Sequence, residues 1–264
     1  MLGLLVSVAG PAFADPADTV SLEALTWTEL QAAIQSGKTT ILVPIGGTEQ
    51  NGPHMALGKH NARVKLLAER IAHVLGDALV APVIAYVPEG GLQPPTGHMR
   101  FPGTISVPED AFQRVLEGAA RSFRIHGFHH VVFLGDHGGT QAGQKAVAAR
   151  LNREWQTTSF RVHAMEEYYR AATAGFRDLL KARGYSLSEI GEHAALADTS
   201  LTLALEPRLV RMPLGRDNRA AGHAAGPTGV EGDPRRASEE LGRLGVDLIV
   251  SRTVAAIKAT TSQR

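Results

Sequence analysis

The chain contains no cysteine. Disulfides, thiolate metal sites and cysteine nucleophiles are therefore excluded together. Aromatic residues are scarce, at 5% with two tryptophans, so a substrate pocket walled by stacked indoles has little to draw on. Charge of one sign is also missing: 27 Lys and Arg stand against 26 Asp and Glu. Such a balance gives no broad field to attract nucleic acid or an anionic membrane. No apolar run is long enough to cross a bilayer, which needs about 20 residues. The first residues, "MLGLLVSVAGPAFADPADTV", are apolar and then reach Ala12 and Ala14 before Asp15. Small residues at those two places resemble the end of a secretory signal. The expectation is a signal over 1–14, a single domain over 15–264, and a periplasmic or secreted protein.

What is present is histidine, 11 in 264 residues, and glycine, 28. The elements alternate. "TWTELQAAIQSGK" carries an apolar stripe at helical spacing (Trp27, Leu30, Ala33, Ile34). "TTILVPI" reads as a buried strand. "NARVKLLAERIAHVLG" is an amphipathic helix with Val64, Leu67, Ile71 and Val74 on one side, and Gly76 suits its end. "ALVAPVIAYV" is a second strand. A helix starts at Ser106 or Pro108 and stops at Gly127. "HHVVFLG" is a third strand, "TQAGQKAVAARLNREW" a helix and "SFRVHAM" a strand. This order predicts an α/β protein, a mainly parallel sheet covered on both faces. "GRDNRAAGHAAGPTGVEGDPRRAS", which holds His223, is expected to be a long surface or active-site loop.

In open parallel sheets, ligands bind outside the carboxyl ends of the strands. "GGTEQNGPHMALGKH" follows the first strand, "PEGGLQPPTGHMRFPGT" the second and "GDHGGT" the third. Three Gly-rich, histidine-bearing loops would then gather on one edge. The first holds Glu49, Asn51, His54 and His60, a mixture of carboxylate and imidazole able to hold a divalent ion such as Zn²⁺ or Mn²⁺. Glu49 and His60 are eleven positions apart, so only a looped excursion could join them. His54 could equally be bonded to backbone. In the third loop a phosphate site lacks its lysine and full glycine spacing, and Asp136 puts negative charge where phosphate would sit. His137 sits as a metal ligand would, although Asp136 and His137 could merely shape the turn. Further on, "SEIGEHAALADTSLTLAL" pairs Glu192 with His193, a possible acid–base couple. Asp198 could ligate a metal, or cap a helix running from Ser200.

These stretches resemble the motifs of the creatininase (creatinine amidohydrolase) family. "GGTEQNGPHMALGKH" resembles its first motif, "DHGGT" its second and "HAALADTS" its third, and "TGVEGDPRRASEELG" resembles its ending. The resemblance implies a three-layer α/β/α fold, often a homohexamer, and metal-dependent hydrolysis of a non-peptide or cyclic C–N amide bond in a small molecule. It makes Glu49 and His137 metal ligands and gives Glu192 and His193 the proton-transfer place. Three positions depart from the pattern. Asn51 stands for a histidine, and His60 stands for the aspartate that bridges two ions, which an imidazole cannot do as a carboxylate does. Asp198 stands for a glutamate. The expectation is one tightly bound Zn or Mn ion on Glu49, His60, His137 and Asp198. Asn51, His54, His98 and Asp136 are expected to face substrate, and Arg100 beside His98 to suit an anionic group. Two alternatives remain: a non-catalytic periplasmic binding protein, or a hydrolase or isomerase of another small substrate on the same scaffold.

Overall fold

The computed structural model describes residues 19–211 and 228–262. The expected signal at 1–14 and His223 lie outside the described residues. Among these residues the sheet has four strands: β1 (Thr40–Ile45), β2 (Ala78–Val80), β3 (His130–Gly135) and β4 (Arg161–Ala164). They lie in the order β2-β1-β3-β4, and every pairing is parallel. The connecting helices are α1 (Trp27–Gln35), α2 (Lys59–Leu75), α3 (Glu109–Ile125) and α4 (Gln141–Glu154). After β4 come α5 (Glu166–Arg170), a π-helical turn (Ala171–Gly175), α6 (Phe176–Ala182), α7 (Leu187–Ile190), α8 (Leu196–Leu205) and α9 (Glu239–Thr261).

Alternation in the strands builds two cores, one on each face of the sheet. Leu42, Val132 and Leu134 point to a core with α2, α8 and α9, where Leu67, Ile71, Leu201 and Ile249 are buried. Ile41, Val43, Ile45, Val131 and Phe133 point the other way, onto Phe112 and Leu116 of α3 and Val147 and Leu151 of α4. The result is a three-layer α/β/α fold, as the alternation of elements predicts.

Local signals set most boundaries. The side chain of Thr26 accepts the Glu29 N–H while Glu29 answers the Thr26 backbone, a capping box that starts α1. Gly76 closes α2 in the left-handed conformation, at φ 84°. Three expectations are corrected. The second strand ends at Val80, because Pro82 has no N–H to offer the ladder, and the chain rejoins β1 only at an Ile45–Ile84 bridge. Val74 is exposed, and the buried face of α2 uses Ala68 and Ala72 beside Val64, Leu67 and Ile71. Trp27 is 75% exposed rather than part of the α1 stripe. Strand order reverses between β1 and β3. The crevice outside their carboxyl ends is the place this topology offers a ligand.

Candidate functional site

Five chain segments deliver side chains to that crevice. The loop after β1 brings Glu49, which is wholly buried. The first two turns of α2 bring Lys59, His60 and Arg63. The segment after β2 brings Glu89 and His98, and the turn after β3 brings Asp136 and His137. His193 and Asp198 arrive from the start of α8.

Glu49 lies at the centre. Its Oε1 is 2.7 Å from His60 Nε2. Its Oε2 is 3.3 Å from both His98 Nε2 and His137 Nε2. His137 Nε2 is also 3.1 Å from Glu89 Oε2. Burial opposes ionisation of Glu49, yet His60, His137 and Lys59 outweigh it and hold the carboxyl far below its usual range. Glu89 responds in the opposite direction. Burial first, then the Glu49 charge beside it, pushes its carboxyl well up.

Sequence reasoning passed over Glu89, which is 5% exposed. A signal existed in Gly47. A Cβ placed there would stand 2.3 Å from Glu89 Oε1, so only glycine leaves room for this carboxylate to reach Glu49.

Among the described residues, two sets of donor atoms converge tightly enough to hold an ion: Glu49, Glu89 and His137, and Glu49, His98 and His193. Glu49 Oε2 and both Glu89 oxygens are buried with no hydrogen-bond partner. Buried, unpartnered carboxylate oxygens are costly without a cation. The residues therefore fit a divalent metal ion, with two carboxylates and one imidazole in the first set. Three protein ligands with a position left open is the usual make-up of a catalytic zinc site.

Two of the imidazoles near the centre, His193 and His98, are disfavoured from protonating. Burial first, then Lys59, pushes His193 down to about 3. Burial also lowers His98. His193 Nε2 lies 2.9 Å from the Gln50 carbonyl, which can only accept. The ring therefore carries its proton there and presents the Nδ1 lone pair to the site. Ala194, the next residue, takes φ 52°, unusual for a residue with a side chain. This turns its N–H onto Asp198 Oδ2 at 2.9 Å.

The remaining expected site residues are placed differently. His60 is set between two carboxylates, with Nδ1 2.6 Å from Asp136 Oδ2 as well as Nε2 on Glu49. It belongs to neither converging donor set. Asp198 is held by Lys59 Nζ at 2.8 Å and Arg63 Nη1 at 2.7 Å. Burial opposes its ionisation, but those two cations keep it well below the usual range. Asp198 sits in the first turn of α8, which begins at Leu196 and not at Ser200.

Of the residues expected to face substrate, His98 is half-buried beside Glu49, with Nδ1 2.8 Å from Gln50 Nε2, and the other three are buried. Asn51 is wholly buried, and its amide braces the loop by donating to the Glu49 and Ala56 carbonyls. His54 is buried against the Thr199 hydroxyl, and burial, then Lys59, pushes it down to about 4. Asp136 points inward, where it accepts from Arg63 Nε and the Tyr168 hydroxyl. Arg100 is exposed on the short helical turn Gly97–Arg100.

Beside the centre lies a cavity of about 280 Å³. Its walls include Tyr169, Arg177, Glu192, His193 and Asp198. Its size suits a small molecule. Neither tryptophan lines it: Trp155 packs in the core on Phe160, and Trp27 is on the outer surface.

A parallel α/β/α sheet whose switch-point crevice gathers carboxylates and imidazoles defines a metal-dependent hydrolase. Comparison with known proteins gives the family. The family model described as creatinine amidohydrolase matches residues 23–257. The chain belongs to the creatininase family. It is 34% identical over 119 residues to the mycofactocin precursor peptide peptidase of Mycolicibacterium smegmatis, a match spanning 43% of this chain and 45% of that protein. It is 28% identical to the creatinine amidohydrolase of Pseudomonas putida, over 70% of this chain and 72% of that one. Among solved structures, a manganese creatininase superposes with a TM-score of 0.74 at 25% identity, covering 93% of this chain and 100% of the other. A creatininase variant of the Zn-Zn type gives 0.75 at 25% identity, covering 93% and 99%.

Proposed function

We propose that this protein hydrolyses a C–N amide bond of a small molecule with one divalent ion, Zn or Mn. In this reading Glu49 Oε2, Glu89 and His137 Nε2 hold the ion. The observation that carries it is the trio of buried, unpartnered carboxylate oxygens beside His137. His60 and Asp198, expected as ligands from the sequence, instead organise the charges behind Glu49. When bound, a divalent ion supplies Lewis acidity to the amide carbonyl and lowers the pKa of a water toward neutrality.

The chain's own groups do the rest. His193 Nδ1 is the atom placed to take a proton from the attacking water. Glu192, exposed on the cavity wall, stands where a proton can pass to the leaving nitrogen. His98, whose ring lies 4.4 Å from that of His193, orients the substrate. Stacking on tryptophan plays no part, which disfavours creatinine itself as the substrate. The match to the 3-dehydro-scyllo-inosose hydrolase of Thermotoga maritima, 25% identical over 80% of this chain and 74% of that protein, favours a second reading, a polar ring compound as substrate. Action outside the cytoplasm, after removal of residues 1–14, and assembly as a homo-oligomer complete the proposal.

The test is a hydrolysis screen of cyclic amides, linear acyl amides and ketocyclitols with zinc- or manganese-loaded protein. Turnover that chelator abolishes and Glu49→Ala and His137→Ala remove is the expected result. Ligand-induced thermal stabilisation with no turnover of any substrate would identify a binding protein instead.

A further inference from the structure

Lys59 is the first residue of α2, and its side chain is wholly buried. Both facts are unfavourable in isolation. A cation at a helix N-terminus opposes the helix dipole, and a buried ammonium is costly unless paired. The pairing is specific. Nζ lies 2.8 Å from Asp198 Oδ2 and 3.9 Å from Glu49 Oε1. One turn along the same helix, Arg63 joins Asp198 Oδ1 at 2.7 Å to Asp136 Oδ2 at 2.8 Å. Two fixed cations on one helical face thus meet three carboxylates. Glu49 is divided between them and the other side of the site: Oε1 faces Lys59 and His60, while Oε2 faces His98 and His137 with no hydrogen bond of its own.

We propose that the Lys59 ammonium is a built-in cation standing between Glu49 Oε1 and Asp198 Oδ2, in the place a second divalent ion would need. This inference rests on the reading that one ion is held by Glu49, Glu89 and His137. It accounts for the contrast with the Zn-Zn type relative from residues of this chain. Asp198 is present but saturated by Lys59, Arg63 and the Ala194 N–H. The donors a second ion would find once the ammonium is gone are Glu49 Oε1, Asp198 Oδ2 and His193 Nδ1, the last 3.7 Å from Glu49 Oε1. One carboxylate on either side of the position and a neutral imidazole make a suitable set for zinc or manganese. Lys59 is the cation that faces both carboxylates at that position, while His60 Nε2 also contacts Glu49 Oε1 and the Ala194 N–H also contacts Asp198 Oδ2.

The experiment is metal stoichiometry by elemental analysis after loading with excess Zn²⁺ and removal of free ion, on wild type, Lys59→Ala, Lys59→Gln and Lys59→Arg. Wild type and Lys59→Arg should each retain one equivalent, and the two uncharged variants two. A thermal melt accompanies each sample. The uncharged variants should melt below wild type without metal, and Zn²⁺ should raise them by more than it raises wild type. Wild type retaining no ion would overturn the one-ion reading itself. Wild type and both uncharged variants all retaining one equivalent would leave that reading standing and overturn the role given to Lys59. Should the uncharged variants not fold, calorimetric titration of wild type decides: one binding event up to millimolar Zn²⁺ supports the proposal, and two overturn it.

Discussion

Glu89→Gln should make the metal-free protein more stable and the metal-bound protein weaker. Glutamine keeps the size and hydrogen-bonding ability of a protonated glutamate without its titration. An ordinary carboxyl titrates at 4.5, whereas burial and the Glu49 charge hold Glu89 above neutrality in the fold. The unfolded chain therefore releases this proton on the way to pH 7, and the folded chain keeps it. The sign follows from linkage: a folded pKa raised above the unfolded one gives stability that is lost as pH rises through the folded value. Each pH unit between 4.5 and 7 costs about 1.36 kcal/mol, so the wild-type residue costs about 3 kcal/mol at pH 7. Removing that cost should raise Tm by roughly 6 to 12 °C for a chain of this size. The gain should shrink toward zero near pH 4.5. With Zn²⁺ present the order should invert. Loss of a charged ligand should weaken metal binding by at least about 100-fold, the upper range seen for groups only indirectly touching a metal. Melts from pH 5 to 8, with and without Zn²⁺, give both quantities. A variant less stable than wild type at pH 7 without metal, and equal to it in metal affinity, would refute the placement of Glu89 at the ion.

Four further outcomes follow from the same geometry. Zn²⁺ binding at pH 7 should release about one proton in wild type, since the ion must displace the Glu89 proton, and none in Glu89→Gln; titration calorimetry in buffers of different ionisation enthalpy measures it. Gly47→Ala should lower metal affinity about tenfold or more, because its Cβ would fall 2.3 Å from Glu89 Oε1; competition with a chelating dye reads this. Asp198→Asn should cost about 3–5 kcal/mol in denaturant unfolding, as expected for breaking a buried ion pair, while metal content stays unchanged. His193→Gln should lower kcat by about 10² to 10⁴ without changing metal content, once a substrate is in hand.

The sheet was legible because its signals are local. β1 and β3 are unbroken apolar runs ending in glycine, and the helices between them carry their apolar residues at the right period. The edge strand was overread because a run such as "ALVAPVIAYV" has strand composition throughout, while one proline decides where pairing stops. At the site, the motifs brought Glu49, His137, His98 and His193 to one crevice, and the structure puts them there. The fates of His60 and Asp198 were not legible. Each is a competent ligand by type; Lys59 and Arg63, 139 and 135 residues away, hold Asp198, and Asp136, 76 residues away, holds His60 together with Glu49. Glu89 escaped notice for a related reason. "PEGG" reads as a turn, and nothing in it tells that Gly47, forty-two positions earlier, leaves space for the carboxylate. Asn51 and His54 look like site residues by composition, but their partners are the loop's own carbonyls and the Thr199 hydroxyl.

The most direct measurement of the central claim is anomalous diffraction at the zinc edge from crystals of the zinc-loaded protein. One anomalous peak among Glu49 Oε2, Glu89 and His137 Nε2, with Lys59 still on Asp198, is the result expected. Two peaks, or a single peak coordinated by Asp198 and His60 with Glu89 turned away, would contradict it.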